Sequence, residues 1–267
     1  MIRRPIQPVT ALCLGILSVL LLLSGYAWLS HRQHATNPND TTIPNWSQLK
    51  QGVVSIWRAD RRGERWLVED AKASGLRFFL GLGLGLAGSV LLGMLMGCFT
   101  PLEAFFYPPL SLLAKVPATA ALAVFFVMAG TGTNMYVAMI AFGVLPTLTL
   151  TVCLAVKEFP EELQYKAATL GASHGEIIFP IIFSYVLPKL LDAVRLVIGP
   201  ALVYLIAAEM VVGEVGFGYR IRLQSHRVNM AVVYPYIALL AAFGFGMDYA
   251  LRWLQRVLCP WFEKFRG

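Results

Sequence analysis

The sequence has few charged residues and lacks a nucleotide-binding motif. Asp, Glu, Lys and Arg make up 14% of its 267 residues, whereas hydrophobic residues make up 57%. This composition excludes an ordinary soluble domain and is typical of an integral membrane protein. The pattern Gly-x-x-x-x-Gly-Lys-Ser/Thr does not occur, so the chain has no P-loop with which to hold the phosphates of ATP.

The sequence also lacks the patterns of a metal site, a disulfide framework or a hydrolase. Its four cysteines have no Cys-x-x-Cys spacing and lie in or beside apolar stretches. We therefore predict that they are small buried hydrophobic residues. No nucleophile, histidine and acid form a set, and no paired carboxylates share a face of an apolar stretch. We expect no metal and no cofactor bound by this chain, and a membrane-embedded enzyme is a weak alternative.

Six apolar stretches are long enough to cross a bilayer, which requires about 20 residues. They cover residues 9–29, 76–97, 108–129, 134–155, 188–212 and 232–256. The first is too long for the core of a signal peptide, and no clear cleavage site follows it, so we predict a retained N-terminal anchor over 1–30. The sequence therefore predicts an all-α membrane protein with six transmembrane helices.

The net charge of +7 is spread through loops and helix ends. That distribution favours contacts with lipid headgroups and partner proteins over binding to nucleic acid. With six spans, the lysines and arginines divide evenly between the two sides of the membrane. The positive-inside rule therefore does not decide the orientation.

The longest stretch outside the predicted spans is 31–75, which separates the anchor from a core domain over 76–267. Its apolar residues recur at helical spacing: Trp46, Leu49, Val53 and Trp57. This pattern predicts an amphipathic helix lying on the membrane surface in contact with lipid. A direct role in receiving a partner protein is the alternative.

Small residues occupy every fourth position of the second span. They are Gly81, Gly85, Ser89, Gly93 and Gly97. In lipid, helices associate through close backbone approach, so this row predicts a helix-packing face.

A polar turn between two helical patterns follows the fourth span. Glu161 and Glu162 come directly after a proline, as is favourable at the positive end of a helix dipole. Gly171 suits the left-handed position that ends a helix. Ser173 and Glu176 then have the spacing of a capping box, which predicts a second short helix. Such a tight elbow is typical of a docking surface for a soluble partner.

This elbow resembles the cytoplasmic EAA loop of permease subunits of binding-protein-dependent ABC importers. The resemblance covers residues 157–188, and the family pattern is Glu-Ala-Ala, three residues, Gly, nine residues, Ile, one residue, Leu-Pro. Aligned on Gly171 and Ile181, the chain keeps both residues and their spacing. It carries Tyr165 and Lys166 where the pattern has Glu and the first Ala.

The resemblance implies a coupling loop at 157–180 that contacts a separate ATPase. Its candidate residues are Glu161, Glu162, Lys166, Ala167, Ala168, Gly171, Ala172, Ser173 and Glu176. The implied partners are two ABC ATPase subunits, which would use ATP and Mg²⁺, an external substrate-binding protein, and a second permease chain in a homodimer. The implied fold is that of a type I ABC importer permease.

The resemblance also implies an orientation. If the coupling loop is cytoplasmic, six spans place both termini in the cytoplasm of a multi-pass protein of the inner (plasma) membrane. The segment 31–75 then lies outside the cell.

Polar residues within spans are costly and mark candidate positions on a translocation path. Lys115 and Thr119 flank Pro117 in the third span, where a helix break would expose backbone to a path. Glu209 in the fifth span is either a path residue or a structural hydrogen-bond partner of a neighbouring helix.

The substrate is less well defined by the sequence. The layout from about residue 76 onward is most similar to the nitrate/sulfonate/taurine branch, which implies a small polar nitrogen- or sulfur-containing solute such as nitrate, taurine or an alkanesulfonate. Arg220, Arg222 and Arg227 favour an anion and Glu209 favours a cation, so small cationic nitrogen compounds stay open. The alternative function is a secondary transporter driven by an ion gradient, which would usually show repeated halves and ionisable groups within its spans.

Overall fold

The computed structural model describes residues 7–38, 40–58 and 65–263, and the regular secondary structure within them is helical. A π-helical segment, Ile177–Ile182, directly precedes the helix Phe183–Val212. The helices are α1 (Pro8–Thr36), α2 (Trp46–Trp57), α3 (Trp66–Cys98), α4 (Thr100–Leu113), α5 (Leu122–Ala129), α6 (Thr133–Lys157), α7 (Glu161–Thr169), α8 (His174–Glu176), α9 (Phe183–Val212), α10 (Phe217–His226), α11 (Met230–Leu258) and α12 (Pro260–Glu263). The prediction of an all-α chain is confirmed.

Among the described residues, five helical stretches are long and apolar enough to cross a membrane. They are Val9–Thr36, Trp66–Cys98, Thr133–Lys157, His174–Val212 and Met230–Leu258. The third predicted span, 108–129, is not one continuous helix, because α4 ends at Leu113 and α5 begins at Leu122. Pro117 lies in the interruption, and proline cannot donate the backbone hydrogen bond that a continuous helix requires.

The two halves of this broken span follow α6 in the antiparallel direction. Near the start of α4, Glu103 forms an ion pair with Lys157 at the end of α6, with 2.8 Å between the charged atoms. In α5, the Phe125 ring meets the Phe142 ring edge-on at a centroid distance of 5.3 Å. Together with the link between them, α4 and α5 therefore extend along much of the length of α6.

The row of small residues on α3 packs against α6, as predicted. A β carbon built on Gly93 would lie 2.6 Å from the β carbon of Val152, which leaves no room for a side chain. The Ser89 hydroxyl donates to the Leu145 carbonyl oxygen at 3.0 Å. Helix α9 completes the core, where Tyr136 of α6 and Leu205 of α9 are buried.

Two helices begin well before the apolar runs that predicted them. Helix α3 starts at Trp66 and not near residue 76, and the helix that contains α9 starts at His174 and not at residue 188. Helix α3 includes the charged residues Glu69, Asp70 and Lys72 before its apolar run, and the second helix includes the apolar π-helical segment Ile177–Ile182. Pro180 does not end the second helix, because it lies in the π-helical segment, whose wider turn departs from the ordinary α-helical bonding pattern.

The chain divides into two compact units. One comprises Leu67–Arg222 and Ala238–Gly267 and contains the core of α3, α6 and α9; the other comprises Met1–Trp66 and Leu223–Ile237. In the second unit, the Tyr26 hydroxyl of α1 donates to the Pro44 carbonyl oxygen at 2.6 Å. This hydrogen bond fixes the segment before α2 to α1.

Helix α2 has two different faces. Gly52 and Ile56 are buried, whereas Trp46, Val53 and Trp57 are exposed. Its start carries a capping box in which Asn45 and Gln48 bond to each other's backbone. The helix expected from the sequence is present, and its exposed aromatic face suits an interface with lipid.

Candidate functional site

The first half of the elbow ends in a Schellman motif. The N–H of Gly171 donates to the Ala168 carbonyl oxygen at 3.0 Å, and the N–H of Ala172 donates to the Ala167 carbonyl oxygen at 3.1 Å. Gly171 has a φ of +86°, and a β carbon built there would meet nothing within 4 Å. Glycine is therefore favoured by the left-handed backbone and not by a lack of space.

The second half opens with the predicted capping box. The Ser173 N–H donates to Glu176 Oε2 at 2.7 Å, and the Glu176 N–H donates to Ser173 Oγ at 3.4 Å. The expected second short helix is wrong in one respect, because it does not end. It continues through the π-helical segment into α9, so His174–Val212 is one helical stretch of 39 residues. The elbow is thus attached directly to a membrane-spanning helix.

The elbow residues predicted from the sequence lie on two sides. Ala167 and Ala172 are half-buried against the core. The others are exposed: Glu161, Glu162, Lys166, Ala168, Gly171, Ser173 and Glu176. The small alanines therefore let the elbow sit closely on the helix ends, and the polar residues face outward.

Large apolar side chains that were not predicted as site residues are also exposed on the elbow. Leu170 is 89% exposed and Tyr165 is 68% exposed, and Leu163 and Phe179 are exposed as well. Large exposed apolar patches rimmed by polar residues occur at protein–protein and membrane interaction sites. These residues could have been predicted as contact residues from the sequence, since bulky apolar residues are unusual in so polar a turn.

The three candidate path residues do not lie in similar surroundings. Lys115 and Thr119 are exposed in the interruption between α4 and α5. Ala118 between them is buried. A β carbon built on Gly143 of α6 would lie 3.0 Å from the β carbon of Ala118. Glu209, by contrast, is fully buried.

Glu209 belongs to a buried ionic cluster near the end of α9. Its Oε1 pairs with the Arg77 guanidinium of α3 at 2.8 Å. The Ser74 hydroxyl lies 2.8 Å from Oε1, and the Gly218 N–H donates to Oε2 at 2.9 Å. These bonds satisfy the carboxylate within the protein, which favours the structural alternative for Glu209.

A second buried ion pair adjoins the first. Asp70, which is fully buried, accepts from the Arg220 guanidinium of α10 at 2.9 Å. It also accepts from the Gly216 N–H at 3.0 Å. Burying a charge is costly unless it is paired and hydrogen-bonded, and both conditions are met here.

The cluster could not be predicted from the sequence, for a physical reason. Asp70, Ser74 and Arg77 are spaced so that they share one face of a helix, but the predicted helix began near residue 76. Two of the three were therefore assigned to the loop over 31–75. Their partners near Arg220 are distant in the sequence, so no local pattern connects them.

The family comparison decides the class of the protein. Residues 89–260 match the family described as "Binding-protein-dependent transport system inner membrane component". The chain belongs to this family. It is therefore a multi-pass inner-membrane permease of the ABC importer class, and the alternative of a carrier driven by an ion gradient is not supported.

Relatives of the permease support this assignment along most of its length. The taurine transport system permease protein TauC of Escherichia coli (strain K12) is 25% identical over 97% of this chain and 92% of its own. A permease protein of Bacillus subtilis (strain 168), named provisionally for aliphatic sulfonates transport (SsuC), is 28% identical over 72% of this chain and 68% of its own.

The fold of the permease matches solved importer structures. A chain in an inward-facing structure of the MetNI methionine ABC transporter superposes with a TM-score of 0.63 at 19% identity, covering 72% of this chain and 96% of that chain. At that identity the likeness concerns the fold alone. The predicted type I importer permease fold is confirmed.

Proposed function

We propose that this permease works as a homodimer with two ABC ATPase subunits and an external substrate-binding protein, importing a small polar solute. ATP and Mg²⁺ would be bound by the ATPase, since the permease sequence has no P-loop. The elbow is the main support for the proposal, because it joins its exposed surface directly to the helical stretch His174–Val212.

The geometry of the elbow suits the coupling of ATP hydrolysis to helix movement. Its Schellman motif and capping box fix the angle between α7 and the following helix through four backbone or side-chain hydrogen bonds. The exposed residues Leu163, Tyr165 and Leu170 supply apolar area that a cleft in the ATPase would bury. Movement of that cleft would then displace the whole His174–Val212 helix.

The proposed orientation places the elbow and both termini in the cytoplasm. Five unbroken spans would leave the termini on opposite sides, so α4, the interruption and α5 would provide the sixth crossing. Backbone that is not helical is tolerated at membrane depth where it is buried in protein or lines a water-filled cavity. We therefore retain Lys115 and Thr119 as candidate path residues in the interruption.

The exposed aromatic face of α2 would then rest on the outer lipid surface. Trp46 and Trp57 lie on that face, and tryptophan is favoured at the boundary between lipid and water. The exposed apolar side chains of α1, such as Leu21 and Leu22, would likewise contact lipid or the second permease chain.

Taurine or a small alkanesulfonate is the proposed substrate, because the relatives described above are named for such compounds. The charges of Glu209 and Arg220 do not indicate the charge of the substrate, because both are paired within the protein. Arg77 neutralises Glu209, and Asp70 neutralises Arg220. Thermal-shift screening of the binding protein would distinguish sulfonates from nitrate and small cationic nitrogen compounds.

Purification from membranes, followed by transport measurement, tests the proposed function. We expect one ATPase subunit to be recovered per permease chain. Reconstituted vesicles should take up taurine when the binding protein and Mg-ATP are supplied, with no ion gradient. Uptake by the permease alone under an imposed gradient would contradict the proposal.

A further inference from the structure

We propose that Asp70 and Glu209 are positioning residues, which fix the start of α10 to α3 and α9 so that movement of the elbow reaches the opposite side of the membrane. This inference rests on the proposed function. Three consecutive backbone N–H groups are held by α3 and α9. Gly216 donates to Asp70 at 3.0 Å, Phe217 donates to the Ser74 hydroxyl at 2.9 Å, and Gly218 donates to Glu209 at 2.9 Å.

The turn between α9 and α10 is tightly packed against the cluster. Gly216 has a φ of +125°, and a β carbon built there would lie 2.5 Å from Glu209 Oε1. A β carbon on Gly218 would lie 2.5 Å from the Ile206 carbonyl oxygen. The turn is therefore packed directly on the last turns of α9, and the two cannot move separately without breaking these contacts.

The charges of the cluster balance one another. Two buried carboxylates face two guanidinium groups, so the cluster as a whole is neutral. Removing one partner leaves an uncompensated buried charge, which costs more than the loss of an ordinary hydrogen bond. The Arg77 guanidinium also lies 4.1 Å from the Tyr136 ring centroid, which connects the cluster to α6.

One helix connects this cluster to the elbow. His174–Val212 contains 39 residues, which corresponds to a length of about 58 Å at 1.5 Å per residue. That exceeds the hydrocarbon thickness of a bilayer, about 30 Å. Ser173 caps one end of this helix and Glu209 lies in the last turn of the other. A displacement imposed at the elbow would therefore arrive at α10 through the Glu209 and Asp70 contacts.

A fluorescent amino acid in place of the exposed Glu214 would report movement of this turn. The complex of permease and copurified ATPase is reconstituted in nanodiscs, and the fluorescence change on trapping with Mg-ATP and vanadate is recorded. The variants Glu209→Gln and Asp70→Asn remove a cluster charge. Glu69→Gln, which changes an exposed carboxylate of α3 beside Asp70, is the matched control.

We expect both cluster variants to keep ATP hydrolysis close to that of the unmutated complex while the fluorescence change falls by about fivefold or more. The control should respond fully. A cluster that only stabilises the fold would instead lower the thermal unfolding temperature and leave the response of the folded fraction unchanged. Gly216→Ala, which disturbs the same contacts without altering any charge, carries the test if a charge variant does not fold.

The possible failures are distinguishable. Full fluorescence responses in folded Glu209→Gln and Asp70→Asn would overturn this inference and leave the proposed function intact. The absence of any ATPase from the purified unmutated permease would overturn the proposed function and this inference with it.

Discussion

Gly171→Ala is expected to weaken coupling between ATP hydrolysis and transport without disturbing the membrane-spanning core. The residue has a φ of +86°, and no atom lies within 4 Å of a β carbon built there. The free-energy cost of the substitution is therefore purely conformational, about 1–2 kcal/mol for an L-residue in the left-handed region. That free energy lowers the ratio of native to non-native elbow by a factor of roughly 5–30.

Two further substitutions separate backbone strain from other effects. Gly175→Ala adds the same methyl group at another exposed, uncrowded glycine of the elbow, but within a helix, where alanine is favourable. Gly171→Asn adds a larger side chain that tolerates the left-handed conformation. We expect the strongest coupling in Gly175→Ala, weaker coupling in Gly171→Asn, and the weakest in Gly171→Ala.

The assay measures solute uptake and ATP hydrolysis in the same reconstituted vesicles. The ratio of uptake to hydrolysis should fall in Gly171→Ala, while the amount of folded permease in the membrane stays the same. An equal ratio in Gly171→Ala and Gly175→Ala would refute the reasoning, because it would show that the left-handed turn is not needed for coupling.

Other parts of the structure give further expectations. Gly93→Ala should destabilise the permease by about 1–3 kcal/mol through overpacking, since its β carbon would lie 2.6 Å from that of Val152; Gly83→Ala, where nothing lies within 4 Å, is the control, and thermal unfolding in detergent measures the difference. Leu170→Asp should reduce ATPase retention on purification, because an exposed apolar contact is replaced by a charge, and full retention would argue against docking at Leu170. Ser173→Ala should cost about 1 kcal/mol of local helix stability and speed proteolysis at the elbow; an unchanged cleavage rate would show that the cap is dispensable.

Local chemistry in the sequence predicted the elbow well. Its two signals, the left-handed Gly171 and the Ser173–Glu176 capping box, each depend on residues at most a few positions apart. The small-residue row on α3 was equally predictable, because close packing in lipid requires small side chains at every fourth position.

Features that depend on distant residues could not be predicted in the same way. The partners Asp70 and Arg220 are separated by most of the chain, so only the folded core brings them together. Two helix starts were also predicted too late. Helix α3 extends back to Trp66 through the charged residues Glu69, Asp70 and Lys72, and the other stretch extends back to His174 through Pro180. The interruption at Pro117 was suggested by the proline, but its length depends on packing against α6.

Site-specific photo-crosslinking tests the central claim, that the elbow receives the ATPase, most directly. A photoreactive amino acid is placed at Leu170, which is 89% exposed on the elbow, and in a second sample at Val127, which is 81% exposed on α5. On irradiation of native membranes, we predict an adduct between the permease and the ATPase from position 170 and none from position 127. A complex that contains the ATPase but yields its adduct only from position 127 would contradict the claim.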